Sequence, residues 1–167
     1  MNNSQSNNQN NNQTMVKMVV DRWYGVLKNW DTILDNLTDE QLQKEIAPGK
    51  NRGLYLLGHL TAVHDDMIVL LDLGEKLYPE LNHPFIKSPD KAVSELPSAQ
   101  TLRAQWSKHK EVFNQKIESL TNDQWFEKHT AVSAEDFEKE PHRNKLNILL
   151  TRCTHLSYHT GQLVLLK

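Results

Sequence analysis

The chain has 167 residues, 38% of them hydrophobic, and 19 Lys plus Arg against 21 Asp plus Glu give a formal net charge of −2. That is the size of one domain, and the charge balance lacks both the basic excess of a nucleic-acid binder and the Lys/Arg cluster of a membrane-surface protein. Cys153 is the only cysteine, so no intrachain disulfide can form; this predicts a cytoplasmic protein, without a transmembrane run of ~18 apolar residues and without a secretory leader.

Residues 1–13 hold seven Asn, three Gln and two Ser, and nothing apolar follows Met1. Such a tract buries too little to offset its ordering entropy, which predicts a disordered, dispensable tail. From Met15 the pattern becomes helical. Val19, Trp23, Val26, Trp30, Ile33 and Leu37 recur at steps of three and four, predicting a first helix over 14–37. Thr38-Asp39-Glu40-Gln41 reads as a capping box that opens a short turn, and Ala47-Pro48-Gly49 breaks the chain. A second helix is expected from Arg52 to Leu73, stopped by Gly74. Residues 74–97 carry four prolines and read as a long irregular crossover. A third helix starts near Ser98, with Leu102, Trp106, His109, Phe113, Ile117 and Leu120 on one face. A second long connection, 121–141, leads to a fourth helix from about His142 to the end. No strand is expected.

The two halves of the chain repeat weakly. A shift of 83 places Trp23 on Trp106, Trp30 on Phe113, Leu34 on Ile117 and Leu37 on Leu120. It also places Thr38-Asp39-Glu40-Gln41 on Thr121-Asn122-Asp123-Gln124. The repeat marks two related halves or only the likeness of any amphipathic helices; either way, four such helices predict an all-α, four-helix bundle. The crossover is long enough for the second and third helices to run parallel.

Eight histidines are many for this length. His109 falls on the apolar face of the third helix and reads as a core residue, whereas His83, His129 and His142 read as surface. His155 and His159 are four apart, so their rings lie one turn above the other on one helix face. Two imidazoles at this spacing can reach one metal ion, and separate hydrogen bonds would serve them as well. A third ligand must come from another helix. The second helix offers His64, in the middle of the apolar arc of Leu57, Leu60, Met67, Ile68 and Leu71, and His59 on its flank. Periodicity nominates His64 as the more buried and does not say which ring faces the fourth helix.

Gly58-His59-Leu60 together with His155-Leu-Ser-Tyr-His159-Thr-Gly161-Gln162-Leu163 resembles the DinB/YfiT-like superfamily, over residues 15–167. The resemblance implies an up-down-down-up four-helix bundle, and a divalent metal held by His59, His155 and His159. It also implies a homodimer, for which the four tryptophans offer packing surface. The expected ion is Zn²⁺ or Ni²⁺, held by three neutral imidazoles with an open position. Leu156 and Ser157 stand between the paired histidines, so the Glu base of the H-E-x-x-H proteases is missing. Asp66, two helical turns beyond His59, is a candidate base or ligand-orienting residue, and as a carboxylate on a helix flank it can equally be merely solvated. Tyr158 points away from the pair, and Gln162 can order a ligand's second nitrogen or equally be a helix-surface amide.

The resemblance implies a metal-dependent enzyme acting on a small molecule, either a transferase using a low-molecular-weight thiol or a hydrolase. The competing reading is a dimeric metal-binding bundle without turnover, a stress-related binding module. A net charge of −2 supports no nucleic-acid contact.

Overall fold

The computed structural model describes residues 2–167, with side chains from residue 7 onward. Among the described residues every named element is helical and no strand occurs. The helices are α1 (Asn2–Asp35), α2 (Asp39–Leu42), α3 (Gly53–Leu70), α4 (Ala99–Glu118), α5 (Ala134–Lys139) and α6 (Lys145–Leu163). Short 3₁₀ turns lie at Pro79–Leu81, Gln124–Phe126 and Val164–Leu166, and a π turn at His83–Lys87.

α1 starts far ahead of the expected Thr14. Of the tract read as disordered, Met1 lies outside the described residues, and Asn2 onward continues the helix. Once a helix is nucleated, each added residue gains a backbone hydrogen bond at little further cost. This extension packs little: residues 7–15 are exposed apart from half-buried Asn12, and Val16 is the first buried side chain. Val19, Trp23, Val26, Leu27, Trp30 and Leu34 follow on the buried stripe. Both expected capping boxes form. The Gln41 amide donates to Thr38 Oγ1 at 3.2 Å, and the Thr38 amide to Gln41 Oε1 at 2.9 Å. The same reciprocal pair joins Thr121 and Gln124, at 3.3 and 2.8 Å.

α3 stops three residues short of the expected Leu73. The Leu73 amide donates to the Ile68 carbonyl at 2.8 Å and the Asp72 amide to the Val69 carbonyl at 3.1 Å, a Schellman closure. Asp72 takes the left-handed position, φ 60°, one of the few non-glycine residues that tolerates it. Gly74 therefore follows the helix end without making it. α6 begins at Lys145, later than His142, because the Asn144 side chain caps it by accepting from the Asn147 amide at 2.9 Å. The connection 121–141 is partly regular, holding a 3₁₀ turn and α5.

The long helices meet in a definite register. Trp23 Nε1 donates to Asn114 Oδ1 at 3.1 Å, and Trp106 Nε1 donates to Asp31 Oδ1 at 2.8 Å. Positions rise along α1 as they fall along α4, and each bond is the other shifted by 83. Arg103 closes the end of α1 by donating to the Leu34 and Leu37 carbonyls. His64 of α3 lies beside Trp106 and His109 of α4, with ring centroids 5.2 and 6.3 Å apart. Further along, Lys116 donates to the Leu73 carbonyl at 2.7 Å, so α3 and α4 run the same way. The crossover between them is pinned at both ends. Asp65 accepts from the Leu77 and Tyr78 amides, both at 2.8 Å, and Arg52 grips Asp90 with a 2.6 Å ion pair. All four tryptophans are buried in the chain's own core, so none is left to pack against a second copy.

Candidate metal centre

α3 is enclosed along nearly its whole first half. Every residue from Gly53 to Asp65 is buried except half-buried His59. The ring of His59 leaves α3 toward α6, where His155 and His159 stand one turn apart. His155 Nε2 lies 3.3 Å from His59 Nε2 and 3.0 Å from His159 Nε2. One nitrogen from each of the three rings falls within 4.8 Å of the others.

The protons on two of these rings follow from their partners. His59 Nδ1 lies 2.8 Å from the Phe85 carbonyl, which only accepts, so Nδ1 carries the hydrogen and Nε2 is a bare lone pair. His159 Nδ1 lies 2.7 Å from Gln162 Oε1, with the same consequence. Both lone pairs face His155 Nε2. That atom carries at most one proton, so only one of its two short contacts can be a hydrogen bond. A cation between the three nitrogens removes the conflict. Tetrahedral coordination with bonds of about 2.0–2.1 Å sets ligand nitrogens roughly 3.3–3.4 Å apart, close to the spacing seen. The donor set therefore fits a divalent ion such as zinc.

Burial favours the neutral, ligand form of His155 and His159. Desolvation, followed by the neighbouring His159, His59 and Arg152 charges, pushes the His155 imidazole down to about 4. Desolvation also lowers His159, against the raising effect of its Gln162 hydrogen bond. His59 and His155 are half-buried and His159 is buried, so the cluster has one side toward solvent.

Two features that sequence reasoning missed hold this geometry. Gly58 has no room for a side chain: a Cβ there would lie 2.3 Å from the Phe85 ring. The bare backbone lets the π turn press onto α3, which brings the Phe85 carbonyl to His59. The signal was present as the glycine beside the histidine, but only the fold supplies Phe85. Tyr55 adds a second wall, its ring 8° from parallel with His59 at 6.2 Å, and its hydroxyl donates to the Ser88 carbonyl at 2.7 Å.

The other nominated residues go elsewhere. His64 is 1% exposed and lies among Trp23, Trp106 and His109, away from the cluster. Asp66 is ion-paired with Lys76, and the two ring nitrogens that have orienting partners use Phe85 and Gln162 instead. Tyr158 is 63% exposed, its ring edge against His159. His109 is buried and stacks on Phe113. His83 and His142 are exposed as expected, while His129, within the second connection, is half-buried and not at the surface as expected. Gly161 has open space around it, so this structure gives no steric reason for a glycine there.

The family model for the DinB superfamily matches residues 22–163. Among solved structures, a conserved protein from Enterococcus faecalis is similar, at 14% identity and a TM-score of 0.61, over 89% of this chain and 92% of that one. At that identity the likeness concerns the fold alone. No curated protein matches the chain significantly.

Proposed function

This chain belongs to the DinB superfamily, and from that premise we propose that it is a divalent-metal-dependent enzyme acting on a small molecule, by thiol transfer or, as second choice, hydrolysis. One observation carries the proposal: three imidazole Nε2 atoms converge at 3.0 and 3.3 Å, with two of the rings already committed to Nδ1–H donors. His59, His155 and His159 are the ligands in this reading, and zinc or nickel is the ion that three neutral nitrogens suit. When bound, such an ion polarises an oxygen or holds a thiol as thiolate near neutral pH. The chain's own residues do the rest. The Phe85 carbonyl and Gln162 fix the ring orientations, Tyr55 shields one face of His59, and the solvent side leaves a place for substrate.

We read the scaffold as an up-down-down-up four-helix bundle. Support comes from the register of α1 on α4, from the parallel run of α3 and α4, and from α3 meeting α6 head to tail, Gly53 near Leu166 and His59 near His155. We also propose a cytoplasmic homodimer. The single buried Cys153 suits a reducing compartment, and exposed Leu150, Tyr158 and Leu165 give α6 and the turn after it apolar surface for a partner. Among the described residues no helix is long and apolar enough to cross a membrane.

Elemental analysis of untagged protein tests the site, with about one divalent ion per chain expected. Replacing His59, His155 or His159 by Ala should each lower metal affinity by orders of magnitude, while His64→Ala keeps the metal. Retention in His59→Ala and loss in His64→Ala would reverse the ligand assignment. A panel of low-molecular-weight thiols with electrophilic acceptors then tests turnover. The second reading, a binding module without turnover, is favoured by one feature: among the described residues no Asp or Glu is hydrogen-bonded to the three rings. Failure of metal-loaded protein to turn over any pair would select it. Sedimentation as a monomer at micromolar concentration would refute the dimer.

A further inference from the structure

Four arginines of this chain are half-buried, and three of them hold a carboxylate. Arg52 grips Asp90, Arg103 pairs with Asp39, and Arg143 with Glu140. The fourth, Arg152, makes no hydrogen bond and no ion pair among the described residues, and its Nε is buried without a partner. A guanidinium N–H buried without an acceptor is costly in a folded chain, and the two Nη groups, which are not buried with it, remain free to take an incoming ligand. Its position is one helical turn before His155 on α6, beside the metal centre proposed above.

The surroundings leave its positive charge uncompensated. Asp66 is the carboxylate whose charge reaches Arg152, and it is already ion-paired with Lys76. Desolvation lowers the Arg152 pKa, and the Asp66 charge only partly opposes that. The Arg152 charge is in turn felt by His155 and by His64. Lys76, Arg152 and Asp66 sum to one positive charge on the flank of the three imidazoles.

We propose that Arg152 is a substrate-anchoring residue that takes the carboxylate of a small organic acid whose reacting end lies at the His59–His155–His159 cluster. The inference rests on the metal reading of that cluster. The planar fork of a guanidinium matches a carboxylate with two parallel hydrogen bonds, which an ammonium cannot do. Half-burial strengthens the pairing, because fewer water molecules compete for the same donors. Asp66 then tunes the anchor, its negative charge weakening anion binding and Lys76 limiting that effect.

The test uses cobalt-substituted full-length protein and two thiols of nearly the same shape, 3-mercaptopropionate and 3-mercaptopropionamide, with the sulfur-to-cobalt absorption band as the binding signal. The wild type should bind the acid about ten- to hundredfold more tightly than the amide. Arg152→Met should abolish that preference while the band itself persists. Arg152→Lys should restore part of it, which a purely structural role would not predict. Asp66→Asn should raise affinity for the acid and leave the amide unchanged. Equal affinities for acid and amide in cobalt-loaded wild type would overturn the anchor and leave the metal reading intact. A wild-type protein that takes up no cobalt would overturn both.

Discussion

Trp23, Trp106 and His109 leave the His64 ring no room for a proton's hydration. Burial drives His64 well below the ordinary imidazole range, and it drives His109 down to about 4. Both folded pKa values lie below the unfolded value of about 6.5. The unfolded chain therefore takes up protons first, and the stability these rings contribute is complete above pH 6.5 and drains away as pH falls toward 4. Asp65, whose carboxyl is raised by burial 3.9 Å from His109, works in the opposite direction at the acid end. Denaturation midpoints of metal-free protein should be level from pH 8 to 7 and decline below 6.5, and a His109→Phe variant should flatten the decline. His64→Ala should cost roughly 2–4 kcal/mol through the cavity it leaves, read as a lower melting temperature at unchanged metal content. A His64→Ala protein as stable as wild type would show that the tryptophans collapse into the space.

Between elements, the contact of α3 with the π turn couples packing to the site. Gly58→Ala places a methyl group against the Phe85 ring, which must move together with its carbonyl. Overpacking of this kind costs about 1–3 kcal/mol, and loss of a ligand's orienting hydrogen bond weakens metal binding about ten- to a hundredfold. Gly58→Ala should therefore lower both melting temperature and metal affinity, whereas Tyr55→Phe, which removes only the hydroxyl bond to Ser88, should spare the affinity. The two capping boxes offer an independent check. Thr38→Ala and Thr121→Ala should each cost about 1 kcal/mol, and because they sit at opposite ends of α1 the double variant should show the sum in urea titrations. A markedly smaller effect at Thr121 would mean that its turn is held by the neighbouring Trp125 core contact instead.

Across the whole molecule, the reciprocal Trp23–Asn114 and Trp106–Asp31 bonds make the repeat a property of the fold. The symmetry is broken in the connections. Glu45 bridges to Arg52 ahead of α3, and Lys128 bridges to Asn144 ahead of α6. The second loop is therefore nine residues longer, with α5 in the insertion. The three clustered histidines have no symmetric counterparts, so the two halves share packing but supply different numbers of rings to one cluster. Removing residues 1–13 should change unfolding free energy by less than about 1 kcal/mol, since Val16 is the first buried side chain. A larger loss would show that the exposed first turns of α1 stabilise the bundle through the Thr121 turn beside them.

Much of this was legible in residue order alone, because it depends on local physics. Steps of three and four placed α1 and α4, Thr-x-x-Gln marked both capping boxes, and the i, i+4 spacing put His155 and His159 on one face. Two helix ends differ from the reading of residue order: Asp72, an unusual residue for a left-handed turn, closes α3 early, and Asn144, an ordinary cap, opens α6 two residues past His142. The choice between His59 and His64 was open to spacing, and it depended on tertiary structure. Angular position on a helix tells how deeply a side chain is buried, and α3 is buried nearly all round, by α4 on the side of His64 and by α6 on the side of His59. Only the packing of three helices decides which of two inward rings meets the histidines of α6. The Phe85 carbonyl that orients His59 comes from a crossover 26 residues away, and no local pattern relates the two.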